Sequence, residues 1–381
     1  MITLPLFEDR HRALHARLQD VRTQLEPIAA RGEASDVDEA GRDAIRVCAD
    51  LGLCRLLVST EFGGDGLDLR SLCIVREALA AGSGFVDAVF AVQGLGSYPI
   101  GLSGNRAMAE RYLPSVASGA SIAAFALTEP EAGSDASALA TTARREGDGY
   151  VLDGAKIFIS NATIASHFIV FARTAIGTKR AISAFVVDAG VPGCTVTRRQ
   201  EMSAPHPIAE LHFSGCRVPP ANRLGEEGDG MRLALGTLDF FRTSVGAAAC
   251  GLAARALEEA LTYAKGRTQF GSAIADFQLT QAALADMATE LDAARLLVAR
   301  AAWTKDQEGA RVPRESGMAK LFATEAAQRI VDRAVQIHGG RGVERGGVVE
   351  RLYREVRALR IYEGTSEIQR LVIAKALLAE S

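Results

Sequence analysis

The chain has 381 residues, of which 48% are hydrophobic and 23% charged, and its formal net charge is −3. This length predicts two or three domains, the apolar fraction excludes intrinsic disorder, and the near-neutral charge excludes a basic nucleic-acid-binding face or a polybasic membrane anchor. The 37 glycines, against 15 Phe, 6 Tyr and 1 Trp, indicate close helix packing or backbone that approaches a ligand.

Six cysteines lie scattered along the chain without CxxC spacing. Together with an N-terminus that lacks a secretory apolar region, they predict reduced thiols and a cytoplasmic protein. The apolar run Thr243 to Ala254 is too short to span a bilayer. His11 and His15 could share a helix face, but without a third ligand a surface helix is favoured over a metal site, so no metal is expected.

Residues 1–122 are predicted to form an N-terminal helical domain. Apolar residues recur at spacings of three and four from Leu14 to Leu25, and further helical patterns occupy 45–53 and 69–81. The Gly-rich segment FGGDGLD at 62–68 separates the last two patterns.

Residues 123–228 are predicted to form a middle antiparallel β domain. Two strand-like runs within 141–160 surround Gly147-Asp148-Gly149, which is a hairpin signal. Four more β-branched or aromatic runs follow, at 167–175, 181–189, 194–199 and 209–218. Their spacing suggests a sandwich or a barrel.

Residues 229–381 are predicted to form a C-terminal helical bundle domain. The small residues Gly246, Ala249 and Ala253 permit close helix contact. An apolar stripe of helical spacing supports the bundle, and it consists of Leu284, Met287, Leu291, Ala294, Val298 and Ala301.

Familiar catalytic motifs are absent from the sequence. It contains no G-x-G-x-x-G nucleotide loop, no Walker A sequence, no G-x-S-x-G elbow and no HExxH pair. Local sequence therefore gives no support to a nicotinamide enzyme, a kinase or a hydrolase.

Five unusual segments remain, and the first three are ALTEPEAGSD (126–135), KIFISN (156–161) and RTQFG (267–271). The first could offer hydroxyls and free backbone N–H groups to a phosphate or a heterocycle edge, although a turn with a helix cap is favoured for that segment alone. The second carries an aromatic and a hydroxyl at alternate positions, which could flank a flat ring. The third ends a helix at Arg267, which could hold a phosphate or simply be solvated.

The fourth segment, QIHGGRG (336–342), has the pattern of a helix C-terminus followed by glycines. In the fifth, RIYEGTSEIQR (360–370), Ser366 and Gln369 form a capping-box pattern that predicts the start of a helix. Glu363 lies just before that start. A carboxylate in such a turn can be buried beside a ligand with a raised pKa, and for this segment alone a structural role is equally supported.

In this order, the five segments resemble the acyl-CoA dehydrogenase family of flavoproteins, over nearly the whole chain. The family fold is an N-terminal helical domain, a middle β domain and a C-terminal four-helix bundle, as the patterns above predict. The resemblance implies FAD as cofactor and an acyl-CoA thioester as substrate. It also implies a homo-oligomer, as a dimer of dimers, and an electron-transferring flavoprotein as electron acceptor.

The resemblance also implies a mechanism. In the family, the acid of the YEGT segment removes the α-proton while flavin N5 takes the β-hydride, and Glu363 occupies that position. Some relatives carry the base on a bundle helix, where this chain has Phe241. The reaction requires a desolvated carboxylate of raised pKa and donors at the thioester oxygen, one of which is the backbone N–H of the catalytic acid in the family.

Binding residues follow from the same resemblance. Phe158 stands where many relatives have Trp, Ser160 matches a Thr that bonds the flavin, and Arg267, Phe270 and 336–340 would reach the FAD of a neighbouring subunit. The implied cofactor-binding residues are Phe125, Leu127, Thr128, Gly133, Ser134, Phe158, Ser160, Arg267, Phe270, Gln336, Gly339, Gly340, Thr365 and Glu367. The implied substrate-binding residues are Ser134, Asp239, Arg242, Tyr362 and Gly364.

Two departures from the family bear on the substrate. A G-x-R segment of many relatives is replaced by EMSAPHPIAEL at 201–211, and the helix expected to bound the acyl pocket, at about 84–101, carries no cation. Val86 stands where relatives that use dicarboxylic substrates have an arginine. We therefore expect a monocarboxylic, largely apolar acyl group. A flavin oxidase or monooxygenase on the same fold, or a non-catalytic acyl-CoA-binding relative, are the alternatives.

Overall fold

The structure is a computed structural model that describes residues 2–34, 36–175, 181–309 and 311–379. The chain before the first strand is helical, as predicted. Its helices are α1 (Asp9–Arg17), α2 (Arg22–Glu33), α3 (Val37–Asp50), α4 (Leu69–Gly82), α5 (Gly84–Leu95), α6 (Tyr98–Leu102) and α7 (Arg106–Ala117).

A mainly antiparallel sheet follows. Its strands are β1 (Ala123–Ala126), β2 (Thr142–Glu146), β3 (Gly149–Ser160), β4 (His167–Arg173), β5 (Ile182–Asp188), β6 (Cys194–Arg199), β7 (Ile208–Val218) and β8 (Arg223–Leu224). They pair in the order β6-β7-β3-β2-β4-β5-β8, and β1 pairs with β4. The predicted hairpin is β2–β3. The short β1 escaped prediction, and it pairs in parallel, as β2 also does with β4.

The C-terminal part is helical again after Gly228. It comprises α8 (Gly230–Gly266), the small hairpin β9 (Thr268–Gln269) and β10 (Ser272–Ala273), α9 (Gln278–Glu308), α10 (Pro313–His338), α11 (Val348–Val356) and α12 (Ser366–Ala379). The predicted stripe on α9 is buried from Met287 onward. A Cβ on Gly246 would lie 2.9 Å from the Val298 side chain and 3.2 Å from the Ala319 carbonyl. A glycine on α8 therefore permits the predicted close contact with α9 and α10.

The described residues form two compact units. The first unit consists of Met1–Pro27, Asp68–Asp87 and Asp239–Ser381, and the second consists of Ile28–Leu67 and Ala88–Leu238. The second unit has a core of large sheet residues, among them Phe168, Phe185 and Phe213. Burying such aromatic side chains supplies a large share of the folding free energy.

One stretch of the described residues, Gly84–Leu102, is long and apolar enough to cross a membrane, and 72% of it is buried inside the protein. All six cysteines are free, and all but Cys194 are buried. His11 lies on the inner face of α1, where its side chain is fully buried and its Nε2 lies 3.0 Å from Asp68 Oδ1, while most other residues of the helix are exposed. Among the described residues no group of three His, Cys, Asp or Glu is arranged to hold a metal ion.

Candidate active site

Glu363 lies in a left-handed turn just before α12. Its φ is +53°, and Gly364, which follows, has a φ of +91°. A non-glycine residue in this region costs backbone energy and persists only where its surroundings hold it in place. Any other residue at position 364 would be strained at this φ, and its Cβ, 2.6 Å from Gln369 Nε2, would force the glutamine side chain to move.

Strained backbone is concentrated in the segments that sequence analysis selected. The non-glycine residues of positive φ in the described ranges are Phe158, Asn161, Phe270 and Glu363. Three of them are predicted site residues, and Asn161 belongs to the same KIFISN segment as Phe158. Such strain tends to be retained at functional sites.

One oxygen of the Glu363 carboxylate is removed from water, although the residue as a whole is partly exposed. Its Oε2 atom is buried and no described residue donates a hydrogen bond to it. This burial raises the pKa of Glu363, although Arg76, Lys320 and Arg242 oppose the rise and Asp87 adds to it. A carboxylate with a raised pKa and an unused oxygen is suited to accept a proton.

A buried ion pair lies beneath the turn, and sequence analysis missed it. The Arg76 guanidinium on α4 is fully buried and contacts both carboxylate oxygens of Asp87 on α5, at 3.0 and 2.8 Å. It also donates to Ser244 Oγ on α8, at 3.0 Å. Burial raises the pKa of the neighbouring Tyr362 phenol, which therefore stays neutral. The available signal was Asp87, the one charged residue of the apolar helix α5, whose charge requires a partner when it is buried.

Two donors contact the carbonyls of the turn. Lys320 Nζ on α10 donates to Gly364 O at 2.7 Å. The Gln369 amide on α12 donates to Gly364 O at 2.8 Å and to Glu363 O at 3.2 Å. Sequence analysis did not select Lys320, because a single lysine in a helix has no signature of its own.

Helix α12 starts where predicted, but the capping-box prediction is wrong in detail. Ser366 is the first helical residue, and its hydroxyl donates to Glu325 at 2.6 Å. The capping oxygen is that of Thr365, which accepts from the Ile368 amide at 3.4 Å. Gln369 points back to the turn instead of serving the helix start. Of the other residues in this segment, Glu367 is exposed.

The residues predicted to contact the CoA moiety pair with each other. Arg242 donates to Asp239 at 2.7 Å, and Asp239 also contacts Arg311. Arg242 is buried, and its Nε has no partner among the described residues. Phe241, at the alternative position for a base, is fully buried.

In the second unit, two predicted cofactor segments are joined. The Ile157 amide donates to Thr128 O at 3.0 Å, which places KIFISN beside the end of β1. Below them, the fully buried Lys156 donates to Leu127 O at 3.1 Å and to Glu129 at 2.7 Å. Leu127 is buried, whereas Phe125, Thr128 and Ser160 are partly exposed.

The remaining predicted cofactor residues are exposed. Phe158 is 50% exposed and Phe270 is 97% exposed, both at positive φ. A Cβ added at Gly133, Gly339 or Gly340 would meet nothing within 4 Å. These exposed residues, in both units, are Gly133, Ser134, Phe158, Arg267, Phe270, Gln336, Gly339 and Gly340. His338 is packed, as predicted, with its ring stacked on Tyr263 at 4.3 Å.

Three family descriptions match consecutive parts of the chain. Residues 8–120 match the N-terminal domain of acyl-CoA dehydrogenases, 124–216 the middle domain and 228–378 the C-terminal domain.

Full-length relatives share this similarity. An acyl-CoA dehydrogenase of Bacillus subtilis is 41% identical over 361 residues, covering 94% of each chain. The human mitochondrial short-chain specific acyl-CoA dehydrogenase is 41% identical, covering 93% of this chain and 86% of the relative. A 3-(aryl)acrylate reductase of Clostridium sporogenes is 40% identical, covering 98% and 99%.

Solved structures agree in fold. Butyryl-CoA dehydrogenase from Megasphaera elsdenii superposes with a TM-score of 0.92 at 35% identity, covering 98% of this chain and 99% of that one. A glutaryl-CoA dehydrogenase in complex with glutaryl-CoA superposes with a TM-score of 0.93 at 32% identity, covering 98% of this chain and 96% of that one. An acyl-CoA dehydrogenase from Bacillus anthracis complexed with FAD superposes with a TM-score of 0.91 at 32% identity, covering 98% of this chain and 67% of that one.

Proposed function

Because the chain belongs to the acyl-CoA dehydrogenase family of FAD-dependent oxidoreductases, we propose that it oxidises an acyl-CoA to a 2-enoyl-CoA with Glu363 as the base. The observation that carries the proposal is the state of this carboxylate, which has a buried oxygen without a donor and a raised pKa. An α-proton beside a thioester is only weakly acidic, so a desolvated carboxylate is the base it requires.

The Glu363 backbone supports a second role in the same step. None of the described residues accepts a hydrogen bond from the Glu363 amide. A free N–H beside the base can donate to the thioester oxygen as negative charge develops there. The same residue would then remove the proton and stabilise the resulting enolate, while Tyr362 and Gly364 would line the substrate on either side.

The residues of the second unit fit a flavin. Phe158 presents a half-exposed ring, and Thr128 and Ser160 present hydroxyls on joined segments, which suits a flat heterocycle with polar edges. Phe125 and Leu127 would line its edge, and Gly133 and Ser134 would approach its phosphates. A bound FAD would supply the acceptor for the β-hydride, at its N5 atom. By the resemblance, Thr365 and Glu367 of the first unit are also assigned to an FAD contact.

Exposed residues of the first unit support a shared cofactor site. Phe270 is almost fully exposed at a strained φ, and Arg267, Gln336, Gly339 and Gly340 are exposed as well. A binding partner that covers the ring explains an exposed aromatic in a strained conformation better than a side chain that simply faces solvent does. We assign these residues to the FAD of a neighbouring subunit in a homotetramer.

For the substrate, we propose a monocarboxylic, largely apolar acyl group. Val86 is fully buried, and the nearest cation before it, Arg76, is paired with Asp87 through both carboxylate oxygens. That arginine is therefore not free to bind a distal carboxylate. Asp239, Arg242 and Ser134 would contact the CoA moiety. An electron-transferring flavoprotein would be the acceptor, in the cytoplasm.

Anaerobic bleaching of the bound flavin tests the base. Glu363→Gln should slow bleaching by an acyl-CoA by at least about 10²-fold, the lower range for general-base catalysis. Glu344→Gln, an exposed carboxylate of the same unit, should bleach like the unchanged protein. Bleaching by the Glu363→Gln variant at the unchanged rate would show that the base is another residue.

The substrate panel should include straight, branched and aryl acyl-CoAs and glutaryl-CoA. Efficient turnover of glutaryl-CoA would contradict the apolar preference. Since one relative is named a reductase, the reduced protein should also be mixed with 2-enoyl thioesters. Rapid oxygen consumption by the substrate-reduced protein would indicate an oxidase instead of a dehydrogenase coupled to a flavoprotein acceptor.

A further inference from the structure

The turn that carries Glu363 is held by donors from two different helices. Lys320 reaches it from α10 and Gln369 from α12, and both side chains are fully buried. Between them they donate to the carbonyls of both residues of the turn, at 2.7 to 3.2 Å. Both carbonyls therefore have partners in a turn whose two φ angles are positive.

We propose that Lys320 and Gln369 are positioning residues, which fix the direction of the Glu363 carboxylate by holding these two carbonyls. The inference rests on the proposed role of Glu363 as the base. A left-handed non-glycine residue relaxes to another conformation unless its neighbours hold it. A shift of about 1 Å in a reacting group can cost about a hundredfold in rate, so a fixed turn has kinetic value.

Helix packing brings the two donors to the turn. Gly317, one turn before Lys320 on α10, faces α12, and a Cβ there would lie 3.1 Å from Ile373 and 3.7 Å from Gln369 Oε1. The small residue allows the two helices to approach closely. Gln369 Oε1 is buried without a partner among the described residues, so the amide is oriented by its two donated hydrogen bonds.

The two positioning residues differ in charge, which separates their effects. Glu363 faces the cations Arg76, Lys320 and Arg242 and the anion Asp87. Lys320 in turn faces Glu363, Arg242, Glu325 and Glu367. Removing Lys320 removes a donor and a cation that favours ionised Glu363, whereas removing the Gln369 amide removes donors only.

The test compares Lys320→Met with Gln369→Leu in the FAD-loaded protein. In both variants the rate constant of flavin bleaching by an acyl-CoA should fall by about 10- to 100-fold. The acid limb of the pH–rate profile should move to higher pH in Lys320→Met only. Hydrogen exchange of the Tyr362, Ile368 and Gln369 amides, which are hydrogen-bonded on either side of the turn, should accelerate in both, which reports on the turn independently of activity.

Lys305→Met is the matched control, because Lys305 also donates to a backbone carbonyl, that of Gly309, but at the surface. It should alter neither the rate nor the exchange. If both test variants fold, bind FAD and keep the unchanged rate, pH profile and exchange, the positioning role is wrong. If Lys320→Met does not fold, Gln369→Leu decides the rate and the exchange.

The failure of this inference is distinguishable from failure of the proposed base. In a Glu363→Gln background, Lys320→Met should cause little further loss of rate, because the group that it positions is gone. A full additional loss would show that Lys320 acts elsewhere. If Glu363→Gln itself bleaches normally, the base assignment fails first, while faster exchange in Lys320→Met would still show that the turn depends on Lys320.

Discussion

Two buried lysines hold functional segments in the two units, and they differ in how their charge is balanced. Lys156, in the second unit, donates to Leu127 O and lies 2.7 Å from the Glu129 carboxylate. Lys320, in the first unit, donates to Gly364 O, and no carboxylate of the described residues lies within salt-bridge distance of it. Burial lowers the pKa of each lysine to about 8.

The difference separates a structural lysine from one that is coupled to chemistry. The Glu129 carboxylate pairs with Lys156 and also accepts hydrogen bonds from the backbone amides of Ala140 and Thr141. All partners of this ion pair are therefore structural groups of the second unit. Among the charged groups around Lys320, Glu363 interacts with it most strongly. Changes to Lys156 should therefore act on folding and cofactor binding, and changes to Lys320 on the state of the base.

The largest expected effect is on the stability of the second unit. Lys156→Met leaves the Glu129 carboxylate buried without its cation, and breaking a buried pair in this way costs roughly 3–5 kcal/mol. Lys320→Met leaves the Gly364 carbonyl with the Gln369 amide as its donor, so the loss of one hydrogen bond should cost only roughly 0.5–1.5 kcal/mol. Urea unfolding of the two variants measures the difference in their free energies of unfolding, provided that the dependence of this free energy on urea concentration is the same in both.

The double variant Lys156→Met with Glu129→Gln is the control for this comparison. It removes both charges, and the new amide oxygen can still accept from the loop, so most of the lost stability should return. If the single change costs less than the Lys320 change, the Glu129–Lys156 pair is not the structural ion pair that its distances indicate.

The next effect concerns the cofactor. Lys156 fixes Leu127 O, next to Thr128, whose carbonyl binds the Ile157 amide. Loosening these segments should raise the Kd for FAD about tenfold, equivalent to about 1.4 kcal/mol. Titrating the apoprotein with FAD and following flavin fluorescence measures this. A larger rise in Lys320→Met than in Lys156→Met would reverse the assignment of the two lysines.

The stability contributions of Glu363 and Glu129 should respond to pH with opposite signs. The pKa of Glu363 is raised above 4.5 by burial, so its contribution to stability is present in acid and is lost as pH rises through the folded pKa. Burial acts in the same direction on Glu129, but Lys156 and the hydrogen bonds outweigh it and lower its pKa. The stability that Glu129 contributes is therefore fully present above pH 4.5 and is lost as the pH falls through its lowered folded pKa.

Glutamine variants make this contrast measurable. Glu363→Gln should be more stable than the unchanged protein at pH 7, with an advantage that shrinks toward pH 4.5. Glu129→Gln should be less stable at pH 7, with a deficit that shrinks as the solution is acidified. Thermal unfolding between pH 4 and pH 8 checks both, and equal signs for the two variants would contradict the assigned environments.

Local patterns predicted most of the fold but not these networks. The strands, the stripe on α9 and the start of α12 follow from apolar periodicity and turn residues. These signals depend only on residues that are close together in the sequence. Lys156 and Glu129 are 27 residues apart, and Lys320 and Gly364 are 44 apart. Such pairings depend on tertiary packing, which periodicity does not encode. The buried His11 was missed for the same reason, since its partner Asp68 is 57 residues away.

The site was predictable to the extent that its residues form motifs. Glu363 could be selected because it belongs to a distinctive segment, whereas Arg76 and Asp87 lie in helices whose apolar patterns suggest only packing. The positive φ of Phe158, Phe270 and Glu363 was not predictable, because each of these residue types ordinarily avoids it. Only the surrounding structure makes such a conformation persist.

The smallest expected effect tests whether strain at Phe158 serves binding, as strain at Glu363 would serve catalysis. Phe158→Trp keeps an aromatic ring at the same φ of +56° and enlarges it, so FAD affinity should rise by about 0.5–1 kcal/mol, or roughly two- to fivefold. Phe158→Gly relieves the strain and removes the ring, so it should stabilise the apoprotein slightly while FAD affinity falls. If the glycine variant lost stability without losing affinity, the ring would be a packing element of the second unit and not a surface for the flavin.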